Sequence, residues 1–144
     1  GDAATAAGLG RQLVPTLSVL PILALTGVTS LLLALVRLGQ LVEARGLAEQ
    51  LLPLFSMLGG AGMHELPARI AVVEVFEAAG AHAQARTELA EVLAQIRLRC
   101  DDIADPHFRA RFRSHHPACR RAATLAQAFG LPFATPGSES PPAR

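Results

Sequence analysis

The chain has 144 residues, of which 51% are hydrophobic, 17% charged and 4% aromatic, with no Trp or Tyr and a formal net charge of +1. That length suffices for one sizeable core, which must be built from Leu, Ala and Val, a composition that favours helices packed through small residues. The near-neutral charge excludes a general nucleic-acid binder, which carries a strong basic excess, and two cysteines, Cys100 and Cys119, are too few for a disulfide framework, so reduced thiols in a cytoplasm are expected. Every basic residue is Arg, a skew that with the abundant Ala reads as GC-rich bacterial coding.

The opening "GDAATAAG" has no initiator Met and no basic signal-peptide region, so the chain reads as a piece of a longer one with repeats cut away upstream. Residues 1–10 read as a flexible leader. Residues 12–36 carry no charge and admit two readings, a membrane span or a pair of buried helices. Pro15 and Pro21 interrupt the first half, and Thr26, Gly27, Thr29 and Ser30 loosen the middle. The second half runs on into an amphipathic pattern, which favours buried helices. So apolar a stretch needs a neighbour on nearly every side, and a second copy of the chain is expected to supply one through a homodimer.

A helix is predicted from Thr26 to Leu38 and stops at Gly39. The next spans Leu41–Leu58, with Leu41, Ala44, Ala48, Leu51 and Leu52 on one face. "GGAGMHE" (59–65) reads as a loop. A helix over Leu66–Ala79 ends at Gly80, and one over Ala83–Ile103 turns Ala85, Leu89, Val92, Leu93 and Ile96 inward. Asp105 caps and Pro106 opens a short helix to Ser114. Beyond Pro117 a last helix runs to Phe129 and stops at Gly130. Residues 131–144 read as a disordered tail.

Superposing Gly39 on Gly80 aligns Ala44 with Ala85, Ala48 with Leu89 and Leu52 with Leu93. Each glycine makes a tight turn, and each alanine lets two helices approach closely. This resembles the tetratricopeptide repeat, a helix–turn–helix unit, with the period stretched to 41 residues from the usual, about 34. The run from Ile103 through Asp105, Pro106, Phe108, Arg109, Phe112, Pro117, Arg120, Arg121, Leu125 and Ala126 further resembles the closing segment of the tetratricopeptide-like region in large bacterial signal-transduction ATPases and kinase- or cyclase-linked regulators. His116 and Cys119 depart from it, standing where an apolar residue and an Asn are usual. The resemblance implies an all-α array of about six to seven helices in one domain over 11–130. Its repeats lie at about 25–58 and 66–103, and a capping helix pair at 106–130. It also implies a regulatory protein-interaction module, with any catalytic part elsewhere in the parent chain.

The first helices of the two hairpins are expected to form a concave contact face carrying Leu31, Leu35, Arg69, Val73 and Phe76 for a protein or peptide partner. Seven arginines lie between Arg97 and Arg121, and from these Arg109 and Arg113 join the expected partner-binding set. Asp101, Asp102, Asp105, Glu88 and Glu91 stand near enough in sequence to neutralise several of the seven, while Phe108 and Phe112, four apart, suit the core. His107, His115, His116 and Cys119 make an alternative metal- or ligand-sensing cluster, without the spacing of a known zinc motif. No nucleophile elbow or phosphate loop occurs, since "GGAG" lacks the Lys and Ser/Thr of the latter. Neither an enzyme nor a cofactor is expected.

Overall fold

The computed structural model describes residues 2–19, 21–58 and 64–133. Among them the chain is all-α, with seven helices and no strand. They are α1 (Ala3–Leu13), α2 (Pro21–Arg37), α3 (Leu41–Leu58), α4 (Glu65–Ala78), α5 (His82–Asp101), α6 (Pro106–His115) and α7 (Pro117–Ala128), and a 3-10 turn over Val14–Ser18 follows α1. The chain divides into two compact units, the first closing at Glu88 and the second opening at Leu89, both within α5. The division falls inside the second predicted repeat. Most of the predicted 59–65 loop and most of the predicted tail lie outside the described residues.

In the first unit, α2 packs against α1, α3 and α4. Its buried Leu25, Val28, Leu31, Leu32 and Leu35 recur at helical spacing, and burying each such side chain stabilises by about 1.5–3 kcal/mol. The exposed Ser30 and half-buried Thr29 satisfy their hydroxyls by donating to the Thr26 and Leu25 carbonyls. The helix begins at Pro21, earlier than the expected Thr26, because a first-turn proline has no hydrogen bond to lose. Ala24 and Ala34 of the same helix are buried as well. Among the described residues no helix is long and apolar enough to cross a membrane.

The flexible leader is corrected outright. Residues 3–13 form α1, whose first turn is capped by the Asp2 carboxylate accepting from the Ala4 N–H at 3.0 Å. Ala7 and Gly10 are buried, and a Cβ on Gly10 would lie 2.6 Å from Leu31 Cβ. Small residues therefore let α1 lie close on α2. Arg11 ties the pair to the next turn, donating to both Glu43 oxygens at 2.7 and 2.8 Å and to Gln40 at 2.8 Å.

Both hinge glycines end helices as the sequence predicts. Gly39 has φ 71°, the Gln40 N–H reaches the Leu35 carbonyl at 2.9 Å and the Gly39 N–H reaches Val36 at 3.1 Å. Gly80 repeats this with φ 74°, Ala81 to Phe76 at 2.8 Å and Gly80 to Glu77 at 3.0 Å. These are Schellman stops, which need a left-handed residue. The next helix then starts alike, Ala44 and Ala85 donating to the Gln40 and Ala81 carbonyls at 3.0 Å. The helix α3 buries Ala44, Leu47, Ala48, Leu51 and Phe55, while Leu41 and Leu52 are half-buried.

In the second unit, α5 buries Leu89, Val92, Leu93, Ile96 and Cys100, and α7 buries Ala118, Cys119, Ala122, Leu125 and Ala126. Asp105 caps α6 by accepting from the His107 N–H at 2.7 Å, with Pro106 in the first position. This helix packs on α7 without burying any residue fully. Phe108 is 59% exposed and not in the core; Phe112 is half-buried, with its ring 5.0 Å from that of His116.

Candidate functional site

The expected concave contact face is interior. Leu31, Leu35, Val73 and Phe76 are each at most 1% exposed and Arg69 is 9% exposed, because α2 and α4 are the helices that the first unit packs around. Arg69 sits amid apolar residues and is held there by carboxylates. Its Nε donates to Glu65 Oε1 at 2.8 Å, its Nη1 donates to Glu88 Oε1 at 2.6 Å, and its guanidinium lies 4.4 Å from the Phe55 ring centroid. Desolvation works against the cation, but the bonds from Glu65 and Glu88 outweigh it and hold the Arg69 pKa above its ordinary value. Glu88, expected to neutralise the arginines further along the chain, is committed here.

Beside this cluster opens a cleft of about 250 Å³ lined by Leu52, Phe76, Ala83, Gln84, Thr87 and Glu88. Leu52 from α3 and Phe76 from α4 give it apolar surface, while α5 contributes a polar edge. Gln84 is fixed there by Arg45, which donates to it at 3.2 Å and to Glu49 at 2.9 Å. Of the five residues expected on the contact face, Phe76 lines this opening.

In the second unit the two predicted arginines separate. Arg109 donates through Nε and Nη2 to the Ile103 carbonyl at 3.1 and 2.8 Å. Those bonds brace the link between α5 and α6 and orient the half-buried Arg109 side chain. Arg113 donates through Nε to Cys100 Sγ at 3.2 Å and lines a small cleft of about 30 Å³ with Leu93, Ile96, Arg97, Pro132 and Phe133.

The imidazole–thiol cluster is not assembled. Among the described residues no group of three or more His, Cys, Asp or Glu side chains stands ready to hold a metal ion. His107 and His115 are exposed on α6, the latter 2.7 Å from Ser114 Oγ, whereas the Nδ1 of His116 is buried with no hydrogen-bond partner. Cys100 and Cys119 are buried free thiols. Burial, assisted by Cys100 and opposed by Arg99 and Arg113, pushes the Cys119 thiol up from 9.0 to about 11. A thiol so placed is a poor nucleophile at neutral pH. No family model, no curated protein and no solved structure matches the chain.

Proposed function

We propose that the chain is a non-catalytic docking module for a protein or peptide, in the setting its sequence resemblance implies, a cytoplasmic bacterial signalling regulator. The observation that carries this reading is the cleft of about 250 Å³ over Leu52 and Phe76. Its occupant is one large apolar side chain of a partner segment. The volume suits a Leu or Phe side chain, and Gln84, Thr87 and Glu88 offer the polar edge that surrounds an anchoring pocket in protein interfaces. Binding of this kind needs no titrating group and no bound ion.

The test is a peptide-display selection on the full chain, counter-selected on Ala83→Trp. Ala83 is exposed on α5 and lines the cleft, so tryptophan there blocks the opening without disturbing the core. Enriched peptides should share an apolar anchor and bind wild type in fluorescence anisotropy but not Ala83→Trp. A selection that yields no peptide distinguishing the two proteins refutes the reading.

A further inference from the structure

The two units of the chain carry opposite formal charge. Residues 1–88 hold five Arg against seven Asp and Glu, and residues 89–144 hold eight Arg against five. The basic excess is concentrated in α6 and α7, which pack on one another and hold five Arg with no Asp or Glu. Phe108 projects from α6, 59% exposed, and the exposed Arg111 stands beside it three residues on. The nearest acid in sequence, Asp105, is committed as the cap of that helix, accepting from the His107 and Phe108 N–H groups at 2.7 and 3.4 Å.

The docking cleft of the first unit has the opposite character. Its open walls are the half-buried Leu52 and the exposed Ala83, Gln84 and Thr87, while the buried Phe76 and Glu88 close its floor. Glu88 and Glu65 share the one Arg69 guanidinium, so the cluster beside the cleft holds two carboxylates to one cation. Arg45, which fixes Gln84, is matched by Glu49. Among the described residues, the exposed large apolar side chains of the second unit are Leu98 and Phe108; the others lie in the first unit, whose charge has the sign of the cleft. Leu98 has Asp101 and Asp102 three and four residues on, along the same side of α5. Phe108 is aromatic and brings a cation with it.

We propose that the cleft of one copy receives Phe108 of a second copy, with Arg111 of that copy turned toward the acidic surroundings of the cleft. This rests on the docking reading of the cleft and names its occupant. An aromatic side chain seated in a pocket with a polar edge is the usual anchor of a protein interface. Knob and cleft belong to different surfaces of the chain, so the contact is heterologous. It leaves a cleft unused at one end and a Phe108 unused at the other, and repeats head to tail into a ring or an open chain. Opposite charge orients the encounter and makes the contact weaken as sodium chloride is added.

The experiment is sedimentation velocity of the full chain from micromolar to millimolar concentration, at low and high sodium chloride, with circular dichroism to show that each variant keeps its helices. Wild type should grow past a dimer as concentration rises, and less so at high salt. Phe108→Ser and Ala83→Trp, both at exposed positions, should each weaken association about thirtyfold or more, the loss of an anchoring side chain. Mixed in equal amounts, the two variants should form a one-to-one dimer and nothing larger, because one supplies the knob and the other the cleft. A symmetric contact would not give that complementation. Arg111→Glu should weaken association most at low salt. A wild type that stays monomeric, a Phe108→Ser or Ala83→Trp variant that still assembles alone, or a mixture without the dimer overturns the inference. If peptides from the display selection still distinguish wild type from Ala83→Trp, the cleft remains a docking site with another occupant; if they do not, both readings fall.

Discussion

Raising the pH tests the second unit with little interference, because the chain has neither Lys nor Tyr. Arginine keeps its proton and the α-amino group has largely lost its own by about pH 9. Between pH 9.0 and about 11 the shift that the fold imposes is therefore that of the Cys119 thiol. Burial, with help from Cys100, moves the Cys119 thiol across that whole window. In the unfolded chain the thiol ionises near its ordinary value; in the folded protein it holds its proton longer. The folded state thus binds more protons, and stability must fall as pH rises. The contribution is complete below pH 9.0 and gone above about pH 11. A displacement of that size removes at most about 2–3 kcal/mol, a large share of the roughly 5–15 kcal/mol that holds a domain folded. Urea denaturation followed by helix circular dichroism, in reducing buffer at several alkaline pH values, measures the loss. Cys119→Ala should be somewhat less stable at neutral pH yet lose much less as pH rises, with Cys100→Ala as the comparison. An alkaline slope as steep in Cys119→Ala as in wild type refutes the argument.

Two further outcomes follow from packing in the first unit. Gly10→Ala sets a Cβ against Leu31 Cβ and 3.3 Å from its Cα, so α1 must lift from α2 at a loss of about 1–3 kcal/mol; Gly27→Ala meets only the tip of Leu13, a half-exposed side chain able to swing away, and should change the urea midpoint little. Removing Arg69 takes the cation from between Glu65 and Glu88 in the interior and should cost about 3–5 kcal/mol, whereas Arg11→Ala, whose ion pair with Glu43 is 43% and 44% exposed, should cost far less. Equal denaturation midpoints within either pair of variants would contradict the packing described.

The helices were legible where one chemical rule acts locally. Gly39, Gly80 and Gly130 each supply the left-handed residue of a helix stop, and Asp105 with Pro106 opens α6, because each feature needs only its immediate neighbours. The contact face was misassigned because periodicity says which residues share a side but not what lies against that side. Leu31, Leu35, Val73 and Phe76 share apolar stripes as expected, and the chain's own helices cover them. A signal for Arg69 was present: a lone cation in "LPARIAVVEVF", with Glu65 four residues earlier, has to be a buried ion pair. Glu88 comes from another helix, so its part could not be read from local spacing. The two clefts join side chains distant in sequence, and no pattern in the linear chain announces them.

The short N-terminal helix has a practical consequence for anyone trimming the protein. The most apolar stretch of the chain is shielded from water in part by the 11 residues of α1. Shortening the chain to begin after residue 10 would strip away Ala7 and Gly10 and lay bare the flank of α2 around Leu31. Such a fragment, though it keeps every hairpin, should precipitate at a lower concentration than the 144-residue chain.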